Sequence, residues 1–443
     1  MLQPAADVID RAVVSPVMVY GSLPQLGTDL DLLVRSDELL PVIGALKQAG
    51  FSEASGGRWW RSSALGIEVV ELRSAEAWGL PPQELADLFA KAVAVERYAH
   101  LVRPSSAHTL LLLARRLTHG DGTLDERRRA RLERALAEDP AAWPSAEARA
   151  RAWRSLAALR VLRAASMGKP VGTRQLVDAR AERYSGAGLS RRFPRARAWR
   201  SLLPRRQRGG VIAICGLDGA GKSSQAAALV AGLELLGQPS VSRWTRLSAD
   251  PSLDAVARPV KRLLRAVRRR SPPRISGDVH PSRVASPEQR LRQASPVLTW
   301  AWATLVAGLN GLAQRRSTRS DVASGRVVVC DRWTLDSAVH LRYRYGEERR
   351  FTIQVRLIRA LSPRPLTTFL LDIPAETAYR RKDDHYDVSQ LRRQERLYDQ
   401  EHGSHGAIVL DGARPAPDLS AEILRATLEI LQSKRHRRRV GRR

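Results

Sequence analysis

The stretch GVIAICGLDGAGKSSQAAALVAGLELL, Gly210 to Leu236, restricts the fold of this chain more than any other. Its short apolar run, GVIAIC, reads as a strand buried on both faces. A helical pattern begins after the glycines and closes at Gly237. A buried strand that passes through a glycine loop into a helix belongs in a parallel sheet. Gly216, Gly221, Lys222 and Ser223 fit the spacing GxxxxGK[ST] in that strand-to-helix context. Glycines let backbone N–H groups turn inward around phosphate oxygens, and the helix N-terminus adds partial positive charge. The expected phosphate loop is therefore Gly216, Asp218, Gly219, Ala220, Gly221, Lys222, Ser223 and Ser224. Only seven of the 74 basic residues are lysine. An ammonium is a compact, mobile charge that can follow a transferring phosphoryl group, whereas a guanidinium is broad and planar. Ser223 is the expected Mg²⁺ ligand of the loop.

The rest of this C-terminal block alternates in the same way. PSVSRW, RVVVC, TTFLLDI and AIVLD read as further strands with helices between them. The expectation is an α/β fold with a five-stranded parallel sheet covered by helices on both faces. VVVCDRW places Asp331 and Arg332 at the end of a buried strand. An Asp there can orient Mg²⁺ through water, and an Arg can clamp a phosphate with two hydrogen bonds. LLDIPAETAYRRKDD follows a strand ending at Asp372 with a short helix and the cluster Arg380, Arg381, Lys382. Such a cluster can neutralise charge growing in a transition state.

GLDGAGKSSQ closely resembles the thymidylate kinase version of the P-loop, and the resemblance extends over about residues 210–433. It implies ATP and Mg²⁺ as cofactors and ATP-dependent phosphoryl transfer to a nucleoside monophosphate or similar small acceptor. It also implies that Arg332 grips the acceptor phosphate and that Arg380, Arg381 and Lys382 form a lid. AIVLDGARP resembles the family's last strand and adenine-contacting loop. The family's thymine-reading helix is not recognisable around 296–316, so the acceptor is left as a small phosphate-bearing molecule. Asp336 and His340 stand where acceptor contacts or structural roles are both open. Neighbouring strands in such a sheet would bring Cys215 and Cys330 close together, buried and reduced.

VYGSLPQLGTDLDLLV, near the N-terminus, carries a second carboxylate pattern. VMVYGS and DLDLLV read as paired strands. Asp29 and Asp31 are two apart, so both side chains lie on one face. Two carboxylates on one face repel unless a divalent cation sits between them. Such a pair can hold the Mg²⁺ of a triphosphate. The segment resembles the nucleotidyltransferase superfamily, which implies Gly21 and Ser22 as phosphate contacts. It also implies a third carboxylate on a neighbouring strand. IEVVEL offers Glu68 and Glu71, and Glu68, flanked by apolar residues, is the expected one. A fold of this kind can also bind a ligand without turning it over.

The chain of 443 residues is long enough for several domains. The expected organisation is a small mixed α/β nucleotidyltransferase-like domain at 1–103 and a helical segment at 104–203. A linker at 204–209 leads to the P-loop domain at 210–443 with its basic tail. In the first block a helix is expected between an N-cap at Ser36 and Gly50. The apolar stretch from Ser295 to Leu312 reads as a buried helix and not as a membrane span. MLQPAADVIDRAVV lacks the apolar core of a signal peptide. With only two cysteines, a reducing cytoplasm is the expected setting.

A formal net charge of +29 attracts nucleotides, nucleic acid or anionic surfaces non-specifically. The densest clusters are Lys261–Arg270 and Lys434–Arg443, and no aromatics are interleaved there for base stacking. Nucleic acid is accordingly not the favoured partner. The sequence leaves the oligomeric state open, a homodimer included. The alternative class is a regulatory nucleotide-binding protein whose basic surfaces hold a partner.

Overall fold

The computed structural model describes residues 4–21, 29–54, 56–63, 66–120, 122–184, 198, 209–244, 296–346, 351–381 and 386–440. Ser22, Lys382, residues 204–208 of the linker and the Lys261–Arg270 cluster lie outside them. The chain divides into two compact units, Met1–Arg205 and Arg206–Arg443.

Unit 1 is built on a mixed seven-stranded sheet. Its strands are β1 (Val17–Val19), β2 (Asp29–Val34), β3 (Ser52–Glu53), β4 (Arg58–Ser63), β5 (Gly66–Ser74), β6 (Val93–Ala94) and β7 (Leu101–Arg103), in the order β3-β4-β5-β2-β1-β7-β6. β1 and β2 pair antiparallel, while β2–β5 and β1–β7 are parallel. Alternation along β2 sends Leu30, Leu32 and Val34 to one face, where they meet α1 (Ala5–Asp10) and α2 (Leu39–Gln48). The other face buries Met18, Tyr20 and Leu33. It packs in one core with α3 (Pro82–Ala90), α4 (Ser106–His119), α5 (Glu126–Glu138), α6 (Ala142–Ala150), α7 (Leu156–Ser166) and α8 (Thr173–Tyr184). The helical segment thus shares its core with the sheet.

Ser36 does not cap α2, which starts at Leu39 behind Glu38. Its hydroxyl instead donates to Glu76 Oε2 at 2.6 Å and its N–H to Glu76 Oε1 at 3.3 Å. Bonds to a charged carboxylate outweigh a neutral cap.

His108 of α4 is fully buried and stacked on Trp153. Nδ1 lies 2.9 Å from Ser105 Oγ, and Nε2 lies 3.4 Å from Asp87 Oδ2. Burial, opposed in part by Asp87, pushes the imidazole down to about 4. Below its ordinary value near 6.5, the unfolded chain takes up a proton that the folded one refuses until about 4. Stability contributed by neutral His108 is therefore present above pH 6.5 and lost as pH falls toward 4. We expect His108→Gln to flatten this slope by up to about 1.4 kcal/mol per pH unit. Urea denaturation between pH 4 and 7 checks it; equal slopes in both proteins would refute the assignment.

Unit 2 carries a five-stranded, all-parallel sheet of β8 (Gly210–Gly216), β9 (Ser240–Trp244), β10 (Val327–Asp331), β11 (Thr367–Asp372) and β12 (Ala407–Asp411), ordered β12-β11-β8-β10-β9. The chain passes through α9 (Lys222–Leu235), α10 (Pro296–Ala323), α11 (Thr334–Tyr345), α12 (Thr352–Leu361), α13 (Ala375–Arg381), α14 (Val388–Glu401) and α15 (Ala416–Val440). Residues 296–312 of the apolar stretch fall in α10, which buries Ala303, Ala307 and Asn310 but exposes Val297, Trp300 and Leu312. No helix among the described residues is long and apolar enough to cross a membrane.

Cys215 and Cys330 lie on adjacent strands, both buried and free, with Cys330 registered against Ala213. The fold's main consequence for function is the strand order. The strands β10 and β11 flank β8 on opposite sides, so the connections diverge there. The crevice at such a switch point, beyond the carboxyl ends of the strands, is where open α/β sheets bind ligands.

Candidate functional site

The expected phosphate loop occupies that crevice, between β8 and α9. Gly216 has φ +143° and Gly219 φ +89°, both in the region that favours glycine. A Cβ at Gly216 would stand 2.6 Å from the Leu371 carbonyl oxygen, and one at Gly219 2.4 Å from that of Ala378. The loop backbone is thus pressed between the end of β11 and α13, and only glycine fits both contacts.

Lys222 is the first residue of α9, with 5% of its surface exposed. Its ammonium donates to the Leu217 carbonyl at 2.6 Å and lies 3.8 Å from Asp218 Oδ1. Burial, followed by repulsion from Arg332, holds its pKa below the usual lysine value. The Ser223 hydroxyl donates to Asp331 Oδ2 at 2.5 Å. The other oxygen of Asp331 is buried without a hydrogen-bond partner. A hydroxyl and an open carboxylate oxygen are hard oxygen donors suited to Mg²⁺. The residues present therefore fit that ion.

Arg332 follows β10 with φ +74°, unusual for a residue with a side chain. Its N–H donates to Ile214 O at 3.0 Å and its Nη2 to Asp218 Oδ1 at 2.5 Å. In this structure the guanidinium thus ties the Asp-Arg turn to the glycine loop. Burial pulls its pKa down, but Asp336, Tyr398, Asp218 and Asp331 together raise it.

Asp336 settles into a structural role. Its Oδ2 accepts the Trp333 N–H at 2.9 Å at the start of α11. Its Oδ1 accepts the Tyr398 hydroxyl at 2.7 Å and the Gly216 N–H at 3.4 Å. Tyr398 Oη also stands 3.0 Å from Gly216 O. No motif flagged Tyr398, one aromatic in the charged helix α14; only the fold brings it under the loop. His340 Nε2 lies 3.4 Å from Arg344 Nη1 on the same helix.

Arg380 and Arg381 are exposed on α13. Arg380 donates to Thr377 Oγ1 at 3.3 Å and Arg381 to Gly412 O at 2.9 Å. The helix carrying them touches the loop through the Ala378 backbone at Gly219.

The carboxylates of unit 1 are arranged differently from expectation. The parallel register opposes Asp31 to Glu71 and Asp29 to Val69. Glu71 therefore shares the face of the Asp pair, and Glu68 is on the opposite one. Glu68 accepts the Ala5 N–H at 2.7 Å and pairs with Arg61 Nη2 at 2.7 Å. Glu71 replaces it as the neighbouring carboxylate.

Most oxygens on this face are already matched, but Asp29 Oδ1 is buried without a hydrogen-bond partner. Asp31 takes Arg116 of α4 at 2.8 and 3.4 Å through both nitrogens. Glu71 takes Arg58 at 2.8 Å and Arg73 at 2.9 Å. Asp29 lies 3.8 Å from Arg127. Gly21 packs against Asp31, where a Cβ would meet Oδ2 at 2.3 Å. No group of three or more His, Cys, Asp or Glu among the described residues is placed to hold a metal ion. As arranged, Arg116 clamps Asp31, while Asp29 keeps Oδ1 unmatched.

No protein-family model matches the chain, and a search of the curated proteins finds no match.

Removing the Tyr398 hydroxyl strips a donor from a buried carboxylate. We expect Tyr398→Phe to destabilise unit 2 by about 1–3 kcal/mol. Denaturant melts followed in that unit check it; an unchanged midpoint would show that the loop does not depend on this contact.

Proposed function

We propose that unit 2 is a P-loop phosphotransferase of the thymidylate kinase-like kind, using MgATP to phosphorylate a nucleoside monophosphate or similar small acceptor. One observation carries the reading. Lys222 and the Ser223–Asp331 pair converge on a glycine loop at the sheet's switch point, with one Asp331 oxygen unclaimed. Two cations, Lys222 and Arg332, face three carboxylates there, Asp218, Asp331 and Asp336. A bare polyphosphate would meet net negative charge, so the reading requires that it arrive with its divalent cation.

In this mechanism the loop N–H groups hold the phosphate tail. Lys222 leaves the Leu217 carbonyl and turns its ammonium to the transferring group. Ser223 and Asp331 would hold Mg²⁺, which neutralises phosphate charge when bound. Arg332 exchanges Asp218 for the acceptor phosphate, and Arg380, Arg381 and Lys382 close over the reacting centre. Burial of these groups strengthens every charge contact once water has left. Unit 1 is, in the same reading, nucleotidyltransferase-like in its sheet. Arginines hold its Asp31 and Glu71, and this reading gives it ligand binding without turnover.

The test is ADP formation from ATP with a panel of nucleoside monophosphates. Lys222→Ala should lower kcat by about 10²-fold or more, the scale of losing one preorganised charge donor. The same variant should melt no lower than the parent, because burial disfavours this ammonium in the folded state. Full turnover by Lys222→Ala would overturn the proposal.

A further inference from the structure

Inside the helical core of unit 1, a cluster of arginines surrounds a buried guanidinium. Arg115 projects from α4 with only 4% of its surface exposed. Its Nη2 donates to the Trp78 carbonyl at 2.7 Å. The guanidinium lies over the rings of Trp78 and Trp153, at 5.6 and 6.0 Å from their centroids. Its Nε and Nη1 are buried and have no hydrogen-bond partner. A buried cation with two unspent donors is costly unless an anion or water meets them.

Arg115 also lines a small cavity, together with Arg154, Arg180 and Arg183. Among the described residues, no Asp or Glu lines it. Arg180 is committed to the end of α4, donating to the carbonyls of Thr118, His119 and Gly120 at 2.6, 2.9 and 2.7 Å. Arg154 and Arg183 are half-buried at the rim. Arg154 has φ +50°, a strained conformation for a residue with a side chain. Burial, and then the nearby Arg183 and Arg154, push the Arg115 guanidinium down to about 9.

We propose that this cavity is an anion site for a phosphate-type oxyanion, held by Arg115 from within and by Arg154 and Arg183 at the mouth. The volume, about 10 Å³, admits one water-sized atom. In this proposal a single oxygen of the anion enters, and the Arg115 guanidinium turns Nε and Nη1 to meet it. The remaining oxygens stay at the mouth, where planar guanidinium forks match their geometry. The same chemistry is offered by free phosphate and by the terminal phosphoryl group of a larger ligand. The assignment is independent of the activity proposed for unit 2.

The test uses the full-length Lys222→Ala protein, so that the phosphate loop does not obscure the readout. Inorganic phosphate is titrated calorimetrically in low-chloride buffer, and melting is followed with and without it. Binding should persist in this background and raise the melting temperature by a few degrees. Arg154→Ala with Arg183→Ala, both at the rim, should weaken it at least about tenfold. Arg115→Met keeps the volume and removes the unmatched charge. That variant should lose phosphate binding while melting no lower than the parent without phosphate. AMP in place of inorganic phosphate separates the two sources. Tighter binding of AMP marks a phosphoryl terminus as the ligand, and tighter binding of the inorganic ion marks free phosphate. Absence of phosphate binding in the Lys222→Ala protein would overturn the assignment. So would binding that neither the rim pair nor Arg115→Met changes.

Discussion

The buried carboxylate of Asp336 is the contact on which the arrangement of unit 2 depends. An ionised group at 6% exposure must be matched by donors or pay its desolvation. Its donors come from three separate places: the Trp333 N–H after β10, the Gly216 N–H at the end of β8, and the Tyr398 hydroxyl of α14. One side chain thereby fixes the start of α11, the entry to the glycine loop and a helix 62 residues further along the chain. Asp331 ends one of the two strands this carboxylate joins, and Lys222 opens the helix after the other. The geometry of the loop is a consequence of satisfying one buried charge.

Charge accounting separates the two units more sharply than their folds do. On the face of β2 and β5, Asp31 and Glu71 are each closed off by guanidinium groups at 2.8 Å. Tyr20, raised above its usual range by burial and by Asp31 and Glu71, stays protonated between them. Those oxygens have little capacity left for a cation from solution. At the end of β10 the opposite holds, since Asp331 spends one oxygen on Ser223 and keeps the other unmatched. A divalent ion gains most where a hard oxygen donor is left over.

Much of the fold was legible in the sequence because it rests on local patterns. Apolar runs gave all five strands of unit 2, and their alternation with helices gave the parallel sheet. The pairing of β1 with β2 was equally visible, though not its antiparallel sense. What could not be read depended on register or on distant partners. Glu68 and Glu71 lie three apart on one strand, so they face opposite sides, and only the pairing of Asp31 with Glu71 decides which faces the Asp pair. Ser36 looks like a cap until Glu76, 40 residues away, takes its hydroxyl. Arg116 and Tyr398 carried no motif at all, because their roles arise from helices that pack against the strand ends. Arg380 and Arg381 are legible as a basic cluster, but their bonds run to Thr377 and Gly412.

The preference for arginine over lysine gives the exceptions their meaning. A guanidinium offers five donors in a rigid fork and holds carboxylates through two bonds at once. Arg116 on Asp31 is such a clamp, and releasing it would break two charged hydrogen bonds together. Lys222 is held by one bond to a neutral carbonyl, with Asp218 at 3.8 Å. Its ammonium can turn toward an incoming phosphate by exchanging that one bond for a stronger, charged one. Arg115 stands between these cases, since it is as deeply buried as a clamp but has no carboxylate to grip. Where arginine is the default cation, the positions that matter are the ones whose guanidinium has nothing to close on, or where a lysine has been kept instead.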